Sequence, residues 1–129
     1  HFNVDLAQGP CVIKRLRGCG AGCEYVAITP EGDIYPCHQF VGNEDYKLGS
    51  LYDGTFDKEL SGRFAGLNIY TREECRDCWA RFYCSGGCSA SNLLVNGDIK
   101  KPHRVGCELE RKRLECAIAL RAIAAGMAE

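Results

Sequence analysis

Residues 75–88 read CRDCWARFYCSGGC, which places four cysteines within fourteen residues. The spacings between successive cysteines are two, five and three residues, and six more cysteines lie elsewhere: Cys11, Cys19, Cys23, Cys37, Cys107 and Cys116. Cysteines this close in sequence pair poorly with one another, and short loops gain little stability from a disulfide. Ten is an even number that would permit five bridges, but the clustering favours metal or cluster ligation over a secreted disulfide scaffold.

The apolar core available to the chain is small. Only 29 of the 129 residues are Leu, Ile, Val or Phe, whereas ten are Cys. A small domain with little apolar surface to bury needs covalent or metal cross-links to stay folded. The cysteines are therefore predicted to stabilise the fold as well as to supply its chemistry.

The charge balance gives no reason to expect binding to nucleic acid or to a membrane. The formal net charge is −1, so no bulk attraction to a polyanion is implied. No apolar run approaches the roughly 18 residues of a membrane span. The chain begins at His1 rather than Met, and we expect it to be a piece of a longer protein.

A β-hairpin is predicted in the first half of the chain. Residues 25–29 and 33–35 are β-prone and flank the turn sequence Pro-Glu-Gly, which is typical of two antiparallel strands. The hairpin would bring Cys37 back toward Cys23. Residues 41–54 are polar and are predicted to form turns.

Helices are predicted in the second half, so the fold class is α+β. A first helix is predicted over residues 55–64, and one or two helical turns between 73 and 83. The apolar positions of the first helix are Phe56, Leu60 and Phe64. Asn96-Gly97 is a two-residue turn signal. A C-terminal helix is predicted over about 106–125, with Gly126 just after its end.

Two kinds of metal site fit the cysteine spacing. Cys75-x2-Cys78 is half of a common zinc site, and closed four-cysteine zinc sites would stabilise a binding module with no redox role. Iron–sulfur clusters tolerate less regular spacing, because a cluster is wider than one ion. The glycines at 18–22 and 86–87 would also offer N–H donors to sulfur, which tune a cluster's potential. The residues alone favour clusters and leave zinc open.

The positions of seven cysteines and one glycine resemble the pattern of SPASM domains, which are C-terminal extensions of radical S-adenosylmethionine (SAM) enzymes that modify peptides. The matching residues are Cys19, Gly32, Cys37, Cys75, Cys78, Cys84, Cys88 and Cys107. The run CEYVAITPEGDIYPCHQFVG over residues 23–42 is similar, more narrowly, to the maturases of SCIFF (six-cysteines-in-forty-five) peptides, which install thioether bridges. The implied fold is a small irregular cluster-binding domain with a β-hairpin, short helices and a C-terminal helix.

This resemblance implies two auxiliary [4Fe–4S] clusters. The first would be held by Cys19, Cys23, Cys37 and Cys88. The second would be held by Cys75, Cys78, Cys84 and Cys107. Cys88 would thus leave its three sequence neighbours, a crossing that Ser85-Gly86-Gly87 permits by letting the chain reverse and that two-cluster ferredoxins also show. Cys23 lies outside the seven-cysteine pattern, and without it the first cluster would keep an iron open to a substrate thiolate.

The resemblance also implies a division of the chain and a set of partners. Residues 1–18 would end a preceding radical SAM barrel, and residues 19–129 would form the SPASM domain. SAM and a third [4Fe–4S] cluster would bind a CxxxCxxC motif that this sequence lacks, so this piece is predicted to be inactive alone. The whole enzyme would be cytoplasmic and would form thioether cross-links in a Cys-rich precursor peptide. Its auxiliary clusters would bind substrate or accept an electron, an electron donor would supply the reaction, and neither nucleic acid nor membrane would take part.

Other residues near the cysteines are interpreted as structural. Cys116 is predicted to be a small buried side chain of the last helix, and Cys11 has no assigned role. Aromatic rings predicted to shield the clusters from water are Tyr35, Trp79, Phe82 and Tyr83. His38 is predicted to lie at the surface or to donate a hydrogen bond near the first cluster. His103 and Arg104 are predicted to lie in a solvated loop, with a position flanking the second cluster as the alternative.

Overall fold

Four short strands and six α-helices make up residues 11–126, which are the residues described by the computed structural model. The predicted α+β class is confirmed. Residues 1–10, most of the predicted lead-in, lie outside the described residues. The strands are β1 (Ala27–Ile28), β2 (Asp33–Tyr35), β3 (Gly49–Ser50) and β4 (Thr55–Phe56). The helices are α1 (Val12–Arg17), α2 (Lys58–Ala65), α3 (Glu73–Arg76), α4 (Arg81–Cys84), α5 (Ser89–Asn96) and α6 (Arg104–Ala124), with 3₁₀ turns at His38–Phe40 and Glu44–Tyr46.

The strands form one antiparallel sheet in the order β1-β2-β3-β4. Ile28 pairs with Ile34 across the predicted hairpin, which is confirmed, and Ile34 pairs with Gly49 of β3. Gly49 faces β4 so closely that a β-carbon there would lie 2.1 Å from the Thr55 carbonyl oxygen. Only glycine therefore fits at position 49, where the backbones of β3 and β4 approach each other closely.

Strands β3 and β4 lie where turns and the start of a helix were predicted, so both predictions are wrong there. The helix begins at Lys58 because the Asp57 carboxylate accepts a hydrogen bond from the Leu60 amide (2.8 Å) and caps it. Phe56 lies in β4 and is exposed, whereas Leu60 and Phe64 are buried as predicted.

The apolar core lies between the sheet and α2. Its buried members are Ile34, Tyr35, Cys37, Phe40, Leu48, Leu60, Phe64, Leu67 and Ile99. The rings of Phe40 and Phe64 meet edge to face at 5.4 Å between centroids, a favourable aromatic geometry. This core anchors Cys37, which is itself one of its buried residues.

Asn96-Gly97, which was predicted as a two-residue turn, lies at the C-terminal end of a helix. Residues 89–96 form α5, and Gly97 caps it with φ of 70° and an amide that donates to the Leu93 carbonyl (2.8 Å). Glycine serves both structures because each requires a left-handed backbone. The difference matters for the site, because α5 begins directly after Cys88.

The predicted C-terminal helix is confirmed as α6, and Gly126 follows it with φ of 68° and an amide that donates to Ile123. Only Leu114 and Ala117 of this helix are buried. Within residues 11–126, no helix is both long enough and apolar enough to cross a membrane.

Candidate metal centre

Four of the cysteines line one cavity of about 370 Å³. They are Cys75, Cys78, Cys84 and Cys107, called here the helix-side group. Cys75 lies in α3, Cys84 ends α4, and Cys107 lies near the start of α6. Cys78 follows α3, and its amide donates to the Cys75 carbonyl (3.1 Å). The structure thus brings together the cysteines that the resemblance assigns to the second cluster.

The thiols of the helix-side group lie close enough to affect one another's ionisation. Burial raises the pKa of Cys75 to about 11, with smaller contributions from the other three thiols. Burial is also the main cause that raises the pKa of Cys84 and of Cys107. Without a cation these three thiols are protonated at neutral pH, so a metal that binds them must displace protons.

Three consecutive residues with positive φ turn the chain after Cys84. The φ angles are 58° at Ser85, 87° at Gly86 and 72° at Gly87. Among residues 11–126, Ser85 is the one non-glycine residue with a positive φ. The Gly87 amide donates to the Cys84 carbonyl (3.3 Å), and the amides of Gly86 and Gly87 lower the pKa of the Cys84 thiol against the raising effect of burial, which indicates N–H groups near a candidate ligand. After this turn, Cys88 lies near Cys37, and it also lines a second cleft of about 330 Å³ together with Cys84 and Cys107.

Cys37 lies near both Cys88 and Cys19, and these three cysteines are called here the sheet-side group. The side-chain amide of Gln39 donates to the Cys88 sulfur (3.5 Å) from the 3₁₀ turn that follows Cys37. Burial raises the pKa of Cys37, and the charges of Cys88 and Cys19 raise it further. Cys88 therefore lies near Cys37 as well as near Cys84 and Cys107, and its assignment to the first cluster stays a prediction.

Hydrogen bonds favour the thiolate form of Cys88. Burial raises its pKa, but donors outweigh burial, and the net shift is downward. The donors are the amide and hydroxyl of Ser91, the amide of Ala90 and the side chain of Gln39. Metal ligation requires a thiolate. The lowered pKa of Cys88 therefore favours ligation more than the raised pKa values of Cys75, Cys84 and Cys107 do.

Tyr25 links the other two members of the sheet-side group. Burial raises the pKa of Tyr25 to about 12, and its hydrogen bonds to the Cys19 and Cys37 thiols raise it further. Its hydroxyl therefore stays protonated at neutral pH and interacts with both thiols. Neither thiol contact was anticipated from the sequence, where Tyr25 was only a strand residue.

Cys23 lies near Cys19 but is oriented differently. Both residues line a small cleft, and both are exposed. The Cys23 thiol donates to the carbonyl of Gly20 (3.4 Å). The structure places Cys23 beside the sheet-side group, and its ligation remains a prediction.

Several predictions about the surrounding residues are wrong. Trp79, Phe82 and Tyr83 are 52%, 38% and 38% exposed, so they do not enclose the cysteines within the described part of the chain, whereas Tyr35 is buried as predicted. Cys116 is only partly buried. Arg104 was predicted in a loop, but it starts α6 and lines the helix-side cavity. His103 lies in the loop directly before α6, His38 is at the surface as predicted, and Cys11 is exposed.

Two buried polar side chains near the cysteines were not found from the sequence. Asn92 is 1% exposed; its carbonyl oxygen accepts from the His103 amide (2.9 Å), and its amide donates to the Ile99 carbonyl (3.4 Å). It thereby ties α5, just after Cys88, to the start of α6. Arg72 is 3% exposed and lies behind Gly86. Neither residue belongs to a recognisable motif.

The donor set and the cavity fit an iron–sulfur cluster. Within residues 11–126, no three His, Cys, Asp or Glu side chains converge closely enough to hold a single metal ion. A [4Fe–4S] cluster is wider than one ion, so its four thiolates stand around a cavity. The helix-side group has this arrangement, with sulfur as its only soft donor.

Comparison with known proteins agrees with this chemistry. Residues 19–79 match SPASM, an iron–sulfur cluster-binding domain. These residues belong to the SPASM family. The SPASM match includes Cys19, Cys23, Cys37, Cys75 and Cys78, while Cys84, Cys88 and Cys107 follow it in the chain.

Several longer proteins are similar in sequence to this chain over about three quarters of its length. An uncharacterized protein of Archaeoglobus fulgidus is 31% identical over 101 residues, which are 75% of this chain and 24% of the relative. Proteins named PqqA peptide cyclase are 28% identical in Xanthomonas axonopodis pv. citri and 27% identical in Methylorubrum extorquens, each over 74% of this chain and about a quarter of the relative. The chain therefore spans about a quarter of the length of the curated relatives it matches.

Proposed function

We propose that this SPASM domain binds two [4Fe–4S] clusters, one at each cysteine group. The observation that carries the proposal is the cavity of about 370 Å³ lined by all four helix-side cysteines. The second cluster would be held there by Cys75, Cys78, Cys84 and Cys107. The first would be held by Cys19, Cys37 and Cys88, with Cys23 as the fourth ligand.

We further propose that the domain serves a cytoplasmic radical SAM enzyme that forms thioether cross-links in a Cys-rich precursor peptide. The printed name of the cyclase relatives supports a peptide substrate, and the similarity of residues 23–42 to SCIFF maturases supports the thioether. Residues 1–18 would end the barrel of the same chain, and residues 19–129 would form the auxiliary domain. The barrel would hold SAM and a third cluster, and an electron donor would be a further partner. When bound, auxiliary clusters supply a site for electron transfer or for a substrate thiolate.

The residues of this chain would position and tune the bound groups. The Gly86 and Gly87 amides lower the pKa of Cys84, and the Gln39 side-chain amide donates to the Cys88 sulfur. Such hydrogen bonds to a ligand sulfur stabilise its negative charge and raise the reduction potential of the site. Burial of Cys37 and Cys75 limits the access of water to at least one ligand of each group.

Metal content measured after anaerobic reconstitution tests the proposal. Two [4Fe–4S] clusters give about eight irons and eight sulfides per chain, with a brown colour. Cys11→Ala is the matched control, because Cys11 is exposed and lies outside both groups; it should keep the full iron content. A colourless protein that binds zinc and no iron would instead identify a zinc-stabilised binding module with no redox role.

A further inference from the structure

Arg72 is a buried cation held between the two cysteine groups. Its side chain is 3% exposed. One guanidinium nitrogen donates to the carbonyls of Ile99 (2.8 Å) and Lys100 (3.3 Å), and the other donates to the Ser89 hydroxyl (3.0 Å). Ser89 directly follows Cys88, so the arginine joins the start of α5 to the loop before α6.

Among residues 11–126, no carboxylate forms an ion pair with Arg72, although Asp98 acts on it from farther away. The Nε atom of Arg72 is buried and has no hydrogen-bond partner within the same residues. An uncompensated buried charge is strongly destabilising unless a counter-charge lies nearby.

The groups that oppose this cost are mostly cysteines. Burial lowers the pKa of Arg72, and Cys75 and Cys84, followed by Asp98 and Cys88, raise it; the cysteines exert this effect when ionised, as they would be as cluster ligands. The first two belong to the helix-side group, and Cys88 belongs to the sheet-side group. A cluster held by four thiolates is anionic, and net charge is one of the factors that set its potential.

We propose that Arg72 is the built-in counter-charge of the helix-side cluster and, more weakly, of the sheet-side cluster. This inference rests on the proposed function. One-electron reduction adds negative charge to a cluster, and a fixed cation at short range stabilises the reduced form more than the oxidised form. Arg72 therefore raises the reduction potential, with the larger effect at the helix-side group. It is a positioning residue, since its nitrogens contact carbonyls and a hydroxyl.

Two substitutions separate the charge of Arg72 from its hydrogen bonds. Arg72→Gln removes the charge and most of the hydrogen-bond donors. Arg72→Lys keeps the charge but loses the planar guanidinium group and its fixed set of N–H donors. The control is Arg76→Gln, because Arg76 is exposed and donates only to the Tyr70 carbonyl (3.3 Å). The anaerobically reconstituted protein is titrated with dithionite as the electron donor, and the reduced clusters are followed by EPR alongside iron analysis.

The expected result is a lower midpoint potential in Arg72→Gln. We expect the reduced-to-oxidised ratio of the helix-side cluster to fall about tenfold at a fixed potential, equivalent to about 59 mV for one electron. The sheet-side cluster should shift less, Arg72→Lys should stay near wild type, and Arg76→Gln should not shift. Full iron content with unchanged potentials in Arg72→Gln would overturn the inference.

Failure to load iron is also decisive. If Arg72→Gln binds no iron but Arg72→Lys loads fully at the wild-type potential, the charge is the feature that matters and the inference stands. If both variants lose iron equally, the hydrogen-bonded fork is the essential feature and the counter-charge role is wrong. If the wild-type protein itself binds no iron, the proposed function fails before this test applies.

Discussion

Gly86 lies directly against the buried side chain of Arg72, so that a β-carbon at position 86 would be 3.0 Å from both Cδ and Nε of the arginine. The backbone at Gly86 also has φ of 87°, which costs a non-glycine residue on the order of 1–3 kcal/mol. Gly42 has nearly the same φ, 85°, but nothing lies within 4 Å of a β-carbon there. The two glycines therefore separate backbone strain from steric conflict.

We predict that Gly86→Ala destabilises the iron-loaded protein more than Gly42→Ala does. Both variants carry the strain of a left-handed alanine, and Gly86→Ala adds overpacking of roughly 1–3 kcal/mol. Anaerobic thermal unfolding followed by circular dichroism measures the difference. Equal melting temperatures for the two variants would show that Arg72 moves aside without cost.

The crossing of Cys88 predicts how cysteine variants will group. Cys88→Ala should share its spectroscopic defect with Cys37→Ala, and Cys107→Ala should resemble Cys78→Ala, because each pair would lose the same cluster. The iron content of each variant should fall from about eight irons per chain toward about four. EPR and Mössbauer spectra of the reconstituted proteins make the comparison. Grouping of Cys88→Ala with Cys78→Ala would contradict the ligand assignment even at the expected iron content.

Cys23→Ala should lose less iron than Cys19→Ala. Cys19 is tied to Cys37 through Tyr25, whereas the Cys23 thiol donates to the Gly20 carbonyl. Iron analysis of both variants, with Cys11→Ala as the control, gives the answer. A loss from Cys23→Ala as large as that from Cys19→Ala would establish Cys23 as a full ligand.

Cluster removal should loosen the helix-side region first. The low content of large apolar residues predicts unfolding over residues 19–107 when the clusters are lost. The apolar core, however, lies mainly within residues 34–67, so we expect protection to fall most over residues 75–107. Hydrogen exchange before and after anaerobic chelation maps the change. Unchanged protection at residues 75–88 would mean that the clusters do not hold that segment.

Asn92→Ala should destabilise the protein by about 1–3 kcal/mol, because the buried His103 amide loses its acceptor. Asn96→Ala is a suitable control. The Asn96 side chain donates to the carbonyls of Lys101 and Pro102 (2.9 and 3.1 Å) at a more exposed position, where water can replace it. Denaturant unfolding of the loaded proteins should show a clearly smaller loss for Asn96→Ala.

The family and the fold class could be predicted from the sequence because both depend on local signals. Cysteine spacing indicated the SPASM family, Pro30-Glu31-Gly32 indicated the hairpin, and helical periodicity indicated α6. Strands β3 and β4 escaped prediction because each has only two residues, too few for an alternating pattern. The capping role of Asp57 also escaped prediction, because it can be recognised only once the first residue of α2 is known.

The polar support of the site could not be predicted, because it depends on contacts between distant segments. Arg72 reaches the carbonyl of Ile99, twenty-seven residues away, and Asn92 reaches the amide of His103. Neither residue type is normally buried, so composition and periodicity place both at the surface. Only the folded structure shows that both side chains are buried and donate hydrogen bonds inside the domain, with Nε of Arg72 left without a partner.

The two outer strands of the sheet, β1 and β4, are each two residues long. An extended peptide that added to either edge could form very few main-chain hydrogen bonds, although such bonds supply most of the affinity when a peptide joins a sheet. The same shortness leaves little template for edge-to-edge aggregation. A precursor peptide that reaches this domain would therefore have to be recognised through its side chains, so exchanging side chains in the peptide should change recognition far more than methylating its backbone amides.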